Sequence, residues 1–227
     1  MRASSKLFAL SLALALQPAV AGVVSLDFED IAFDVDPLKT GTVKLDKRYE
    51  KKGWDFSGAA WGTASVLCQG KIAFVPRDGG CSALLLANNP RDLRRKETES
   101  FTLNFADGFI GGSSLYYSAL SGANANVSLF EGLDGTGKRT NVGGLMNTDC
   151  TDVPDALFCR WKALEFNFSG VARSIVVTGT DQFLMIDDIS LVQATVVPPT
   201  PTPEPASLAL ALSALGALGW ARKRAVR

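Results

Sequence analysis

The chain has 227 residues, with 23 basic and 23 acidic side chains, four cysteines and no histidine. This length predicts one domain with short appendages. The absence of histidine excludes most serine and cysteine hydrolase triads and most catalytic zinc sites.

Residues 1–21 have the pattern of a secretory signal peptide. Arg2 and Lys6 precede an apolar stretch, and Ala19-Val20-Ala21 supplies the small residues that signal peptidase requires. The apolar stretch is too short for a comfortable membrane span. The sequence therefore predicts an exported chain whose mature form begins near Gly22.

Residues 22–194 are expected to form the folded domain. Short runs rich in Val, Ile, Phe, Leu and Thr alternate with Gly, Asn and Asp, which is typical of strands joined by turns. A period of two, clearest at 101–105 and 163–168, indicates antiparallel sheets with one buried face. The predicted fold class is all-β, an antiparallel β-sandwich of the jelly-roll type. The predicted strands are 23–28, 64–67, 72–75, 83–86, 101–105, 113–119, 126–131, 163–168, 174–178 and 183–192.

Carboxylates mark the first and last predicted strands. The opening DFED and closing IDDISL segments resemble those of jelly-roll carbohydrate-binding modules, in many of which the first and last strands lie together and hold a structural calcium ion. Calcium prefers carboxylate and carbonyl oxygens. The resemblance implies calcium ligands among Asp27, Glu29, Asp187 and Asp188. The alternative is that these are surface carboxylates, solvated or paired with Lys or Arg.

Aromatic side chains are candidates for a glycan site, because sugar rings stack on aromatic faces. Trp54, Trp61 and Tyr116 are the candidate binding residues, and the two tryptophans lie in a glycine-rich stretch. Packing in the core is the alternative for each of them. Tyr116 and Tyr117 are adjacent on a predicted strand, so only one of them can face the core.

Four cysteines in an exported chain predict two disulfide bonds with three possible pairings. The cysteines are Cys68, Cys81, Cys150 and Cys159. Pairing of sequence neighbours, Cys68 with Cys81 and Cys150 with Cys159, is preferred because the segments between them are short and rich in turn residues. A zinc site is the alternative, although neither pair has CxxC spacing.

No recognisable catalytic motif is present. Residues 133–138, LDGTGK, are interpreted as a hairpin loop, since a phosphate loop would lie between a strand and a helix. Paired carboxylates can support glycoside hydrolysis, but nothing distinguishes the available ones. We expect the protein not to be an enzyme. The carboxylates considered were Glu131, Asp152, Asp155 and Glu165.

The C-terminal region has three parts. Residues 195–205 form a linker rich in Pro and Thr that ends in Pro203, Glu204 and Pro205. An apolar run of fifteen residues from Ala206 to Trp220 follows, which as a helix would span roughly 22 Å. The basic cluster after Trp220 favours a cytoplasmic end. Residues 206–227 are therefore predicted to be a transmembrane helix with a basic tail.

This arrangement of a PEP motif, a short apolar helix and a terminal basic cluster resembles the PEP-CTERM sorting signal of exported bacterial proteins. The resemblance implies processing by exosortase, a membrane-anchored intermediate, and delivery to the surface or extracellular matrix of a Gram-negative bacterium that makes extracellular polysaccharide. A permanent membrane anchor is the alternative.

Processing would also change the charge. Without Glu204 and the six basic residues of the two ends, the core has 17 basic and 22 acidic residues, a net charge of −5. This balance argues against nucleic acid as a partner, because its binding depends on basic side chains. The basic residues removed are Arg2, Lys6, Arg222, Lys223, Arg224 and Arg227.

The function predicted from the sequence is that of a non-enzymatic surface or matrix protein associated with exopolysaccharide and biofilm. The alternative is a carbohydrate-binding module that recognises this extracellular polysaccharide.

Overall fold

The computed structural model describes residues 21–33, 42–65, 74–75, 77, 80–90, 97–120, 123–146, 158–180 and 184–194. All of them belong to one compact unit, Ala21–Ala194. They form eleven strands and two short 3-10 helices, Glu29–Phe33 and Glu50–Lys52. The strands are β1 (Val23–Leu26), β2 (Thr42–Lys44), β3 (Trp54–Gly58), β4 (Ala60–Ala64), β5 (Ser82–Leu86), β6 (Thr98–Ala119), β7 (Ala125–Phe130), β8 (Arg139–Leu145), β9 (Lys162–Phe166), β10 (Ala172–Thr180) and β11 (Leu184–Gln193).

Every strand pairing within the described ranges is antiparallel, which confirms the predicted fold class. The predicted signal peptide, linker and transmembrane helix lie outside these ranges, apart from Ala21, and remain predictions. Within the ranges, no helix is long and apolar enough to cross a membrane.

The longest strand, β6, takes part in both layers of the sandwich. Its first half pairs with β3 and β10, and its second half pairs with β9 and β11. The sequence predicted two separate strands here, because the intervening Asp107–Gly112 segment contains turn residues. Instead, Gly108 (φ 77°) and Gly112 (φ 88°) take up positive φ inside one continuous strand. Glycine adopts these angles without strain, so the strand bends and continues.

The first layer contains β8, β7, β10, the first half of β6, and β3. The second contains β2, β4, β5, β11, the second half of β6, and β9, with β1 paired to β11. Alternate residues from both layers, such as Leu103 and Ile175 from the first and Leu86 and Ile186 from the second, share one buried cluster. This shared core makes the structure a sandwich.

A smaller apolar cluster covers the opposite face of the second layer. Leu85 and Met185 pack there with Phe74 and Phe158. Strand β5 is consequently buried on both faces, which explains why its sequence, SALLL, shows no apolar–polar alternation.

The β7–β8 loop is fixed to the first layer by side-chain hydrogen bonds, and its position confirms a hairpin loop at 133–138. The buried Asn104 amide donates to Asp134 Oδ1 (2.7 Å), and Asp134 N donates to Asn104 Oδ1 (2.8 Å). Ser174 Oγ donates to the Gly132 carbonyl (2.7 Å). Asp134 itself has a φ of 55°, a conformation that aspartate tolerates better than most residues.

The first and last strands, β1 and β11, are paired with each other. The resemblance of the DFED and IDDISL segments to those of jelly-roll modules implied this pairing. Leu26 is the partner of Ile189 in the β1–β11 ladder. Strand β11 contains a bulge at Asp188, where φ is 44° and the register with β6 shifts. The extra residue allows Ile186 and Ile189 both to face the core.

A hydrogen-bonded cluster joins the first 3-10 helix to the segment before β3. The buried Tyr49 hydroxyl donates to Asp30 Oδ1 (2.6 Å), and Arg48 Nη2 lies 3.3 Å from Asp30 Oδ2. The Tyr49 ring packs edge-on against Phe28. Burial, and then the hydrogen bond to Asp30, raise the pKa of Tyr49 well above its ordinary value of 10.0.

This raised pKa predicts that part of the stability is lost in alkali. Below about pH 10 both states keep the phenol proton. Above that, only the unfolded state releases it, so the free energy of unfolding should fall by up to about 1.4 kcal/mol per pH unit. We expect Tyr49→Phe to reduce stability at neutral pH by about 1 kcal/mol and to remove this share of the alkaline loss. Urea unfolding of both chains across about pH 8–11 measures the difference. Parallel curves for the two chains would contradict the assignment.

Candidate functional site

The first candidate binding residue, Trp54, is not available to a ligand. Its side chain is fully buried, at 0% exposure, and it packs against Phe105 with a ring separation of 5.2 Å. The sequence-based prediction of an exposed platform at Trp54 is therefore wrong. The surrounding stretch contains the paired strands β3 and β4 rather than an open loop, and β3 directs Trp54 into the core.

The other two candidates, Trp61 and Tyr116, lie on the outer face of the second layer. Trp61 pairs with Leu85, and Leu85 pairs with Met185 across the sheet. Asp187, two residues after Met185, pairs with Tyr116. Tyr117 points the other way, into the core, as expected for adjacent residues on a strand. The structure thus brings Trp61 and Tyr116 to one face, and both are partly exposed there.

Each of these two rings is covered by a cation of the protein itself. Lys44 Nζ lies 5.1 Å from the centre of the Trp61 ring, and the Arg77 guanidinium lies 3.4 Å from the centre of the Tyr116 ring. Burial lowers the pKa of Lys44, against an opposing effect of Asp46. A sugar that stacks on the covered face of either ring would have to displace its cation.

Neither cation was a candidate in the sequence. Lys44 is on β2, which was not predicted. Arg77 lies far from Tyr116 along the chain, in a segment without periodicity. Both contacts are long-range consequences of the fold, and no local pattern in the sequence indicates them.

Trp161 also belongs to this face and is held in place by protein contacts. Its indole Nε1 donates to the Val75 carbonyl (2.7 Å), and its ring meets Phe74 edge-on at 6.4 Å. Trp61 and Trp161 therefore pack against the smaller apolar cluster, and Trp161 holds Phe74 and Val75.

The four carboxylates considered as calcium ligands have separate partners. Glu29 accepts hydrogen bonds from the backbone N–H groups of Cys81 (2.7 Å) and Ser82 (3.3 Å). Asp188 forms an ion pair with Arg77. Asp187 is buried, at 2% exposure, and its Oδ1 accepts the Asp188 N–H (2.8 Å). Asp27 is exposed, and its Oδ1 lies 3.4 Å from Glu29 N.

Across the described part of the chain, no group of three or more Cys, Asp or Glu residues is arranged to hold a metal ion. The calcium site remains a prediction from the sequence.

The structure describes two of the four cysteines for which disulfide bonds are predicted. Cys81 precedes β5 and Cys159 precedes β9, and neither is a free thiol. Cys68 and Cys150 lie outside the described residues, so the pairing of all four remains a prediction.

Of the four carboxylates that are candidates for glycoside hydrolysis, two lie in the described ranges and two do not. Glu131 and Glu165 are both exposed. Asp152 and Asp155 lie outside the described residues. The absence of an enzyme activity remains an expectation from the sequence.

The fold is similar to that of a bacterial adhesin domain. The K1 cleaved adhesin domain of Lys-gingipain from Porphyromonas gingivalis W83 aligns with a TM-score of 0.51 and 10% identity, covering 76% of this chain and 99% of that one. TmCBM61, solved in complex with β-1,4-galactotriose, aligns with a TM-score of 0.36 and 12% identity over 64% of this chain and 94% of its own.

CBM29_1, a family 29 carbohydrate-binding module from Piromyces equi, aligns with a TM-score of 0.33 and 12% identity over 61% of this chain and 80% of its own. No curated protein matches the chain in sequence.

The C-terminal region carries a sorting signal. Residues 201–225 match the PEP-CTERM protein-sorting motif. The resemblance stated for Pro203-Glu204-Pro205, the apolar run and the basic cluster is confirmed. The described residues thus form a β-sandwich similar in fold to an adhesin domain, and the chain carries a PEP-CTERM motif, which indicates an exported protein.

The ion pair between Arg77 and Asp188 predicts a measurable coupling energy. Its side chains are only 18% and 33% exposed, so we expect about 0.5–1 kcal/mol, decreasing with added salt. A double-mutant cycle with Arg77→Met and Asp188→Asn, measured by urea unfolding, gives the value. Asparagine suits the left-handed backbone at position 188.

The matched control for this cycle is the exposed pair Lys47 and Glu50, whose side chains are 76% and 60% exposed. Its coupling should be close to zero. Equal coupling energies in the two cycles would mean that the Arg77–Asp188 pair does not hold the outer face.

Proposed function

We propose that this chain is a non-enzymatic protein of the bacterial cell surface or extracellular matrix, which exosortase processes and which associates with extracellular polysaccharide. The observation that carries the proposal is the PEP-CTERM motif at residues 201–225, at the opposite end of the chain from a signal-peptide pattern at residues 1–21. Together they provide for export, transient anchoring and removal of the tail.

The architecture of the core supports this role. A sandwich with a continuous buried core and a tightly bonded hairpin loop is a stable carrier for a surface protein. The similarity to an adhesin domain concerns the fold alone. The lack of histidine is consistent with a non-enzymatic role.

The alternative within this proposal is that the sandwich itself acts as a carbohydrate-binding module. The two rings that share the outer face, Trp61 and Tyr116, are covered by Lys44 and Arg77. A sugar site is therefore better supported at another surface of the sandwich.

The sorting role predicts a specific change in the mature C-terminus. In a bacterium that has exosortase, the wild-type chain should be cleaved near the PEP motif, so that the segment from the cleavage site to Arg227 is removed. The remaining protein should be recovered outside the inner membrane. Replacing Pro203, Glu204 and Pro205 by alanine should leave the full C-terminus in the membrane fraction. Intact-mass spectrometry of both fractions measures this.

Thr202→Ala, next to the motif, is the matched control and should be processed normally. A wild-type chain that keeps Arg227 would instead identify the tail as a permanent anchor.

Calcium binding at the β1–β11 corner is the remaining part of the proposal. The pairing of these two strands brings the segment of Asp27 beside that of Asp188. If calcium binds only the folded chain, a hundredfold excess over its dissociation constant should add about 2.7 kcal/mol of stability, and EDTA should reverse it. Thermal unfolding with and without calcium measures this, with Asp27→Asn as the variant that weakens the effect. An unchanged melting temperature would remove calcium from the proposal.

A further inference from the structure

A groove lies beside the turn between β9 and β10. It consists of two adjoining clefts of about 340 Å³ and about 700 Å³. Both clefts are lined by Asn167, Phe168 and Val171, which belong to the turn between β9 and β10. The wider cleft is shallow and open to solvent, and the narrower one is half-enclosed. Phe168 therefore occupies the centre of the groove.

Glycines allow the β9–β10 turn to lie directly over β6. A Cβ atom at Gly111 would be 2.6 Å from the Phe168 carbonyl oxygen, so no other residue fits there without a shift. Gly111 and Gly112 line the wider cleft and contribute no side chain to it. These two positions therefore present only backbone to the cleft.

The Phe168 ring is held in position from below. It meets the buried Phe109 edge-on, with a centroid separation of 5.9 Å and an interplanar angle of 78°. Phe168 is itself half-buried. In contrast to Trp61 and Tyr116, Phe168 has no cation over its ring among the residues that the structure describes. An anchored aromatic ring of this kind can receive the apolar face of a sugar.

Polar groups surround the narrower cleft with little net charge. Thr140, Asn167 and Ser169 line it as neutral donors and acceptors, and their side chains make no hydrogen bond to other residues of the described ranges. Glu131 and Lys138 are the charged residues of its lining, and their charges cancel. The groove therefore complements a neutral, hydroxyl-rich molecule better than an anionic one.

We infer that this Phe168 groove binds a neutral segment of extracellular polysaccharide, with one sugar ring on Phe168 and its hydroxyls hydrogen-bonded by Thr140, Asn167 and Ser169. The inference rests on the proposed association of this protein with polysaccharide and locates its site. Because Phe168 lines both clefts, a sugar on its ring lies next to space in each of them.

The test uses the mature protein recovered from its bacterial host, so that the whole processed chain is examined. The probe is the host's own extracellular polysaccharide, separated by anion exchange into neutral and acidic fractions and immobilised. We expect retention of wild-type protein on the neutral fraction. Phe168→Ala should weaken binding at least about tenfold, and Asn167→Ala about threefold.

Two matched controls separate the groove from the rest of the surface. Tyr116→Ala removes a partly exposed aromatic ring on the outer face, and Asn126→Ala removes an exposed amide on β7. Both should bind like wild type. Asn167 is exposed and its side chain makes no hydrogen bond within the described ranges, so its variant keeps the test valid even if Phe168→Ala lowers stability. Circular dichroism and thermal unfolding confirm that each variant is folded.

The outcomes distinguish the site from the broader role. If wild type binds but both groove variants bind equally well, the groove is wrong while the association with polysaccharide stands. Loss of binding in Tyr116→Ala alone would move the site to the outer face. Retention on the acidic fraction only would overturn the neutral ligand. A folded wild-type protein that binds neither fraction would overturn both the groove and the polysaccharide role.

Discussion

Strand β6 is the element on which both layers of the sandwich depend, because β3, β9, β10 and β11 all pair with it. One strand can serve two layers only if it bends between them, and the bend requires backbone angles that side chains disfavour. Gly108 meets this need, and a Cβ there would lie 2.6 Å from Val171 Cγ1. Because Gly108 has no side chain, the β9–β10 turn can lie close to the bend.

The same bend creates the surface where a ligand can lie. Gly111 and Gly112, three and four residues after Gly108, line the groove beside Phe168. The two glycines and the half-buried Phe168 ring line the groove together. The residues that make the fold possible and the residues that open the groove are therefore neighbours on one strand. A substitution of Gly111 would affect both.

On the outer face, the partly exposed aromatic rings are covered by cationic side chains of the protein itself. The bulge at Asp188 in β11 places a carboxylate where it pairs with Arg77, and Arg77 lies flat on Tyr116. This series of contacts attaches the segment of Arg77 to the sheet. Aromatic rings that are partly exposed in a β-sandwich can thus be covered by the protein's own cations. Counting tryptophans and tyrosines does not by itself identify a glycan site.

The sequence predicted those parts of the fold that local alternation encodes. Strands such as β7 and β9 were expected within a few residues of their observed positions, since their apolar residues recur every second position. The continuity of β6 was missed because a bending glycine and a turn glycine look alike in sequence. The burial of Trp54 was missed because β3 and β4 lie in a glycine-rich stretch that resembles a loop. The only sequence feature of Phe168 is its position at the end of an alternating strand. Its proposed role in the groove depends on the packing of the β9–β10 turn against β6, which is distant in the chain.

The charge of the mature core bears on which polymer such a groove can select. If both ends are removed as proposed, the remaining core has a net charge of −5, so an acidic polysaccharide would meet a weak overall repulsion. At physiological ionic strength this repulsion is screened beyond about 8 Å, and local contacts then decide between ligands. In the groove these contacts are an uncovered ring and neutral hydrogen-bonding groups. Long-range repulsion and short-range complementarity both favour an uncharged sugar, although they arise from different residues.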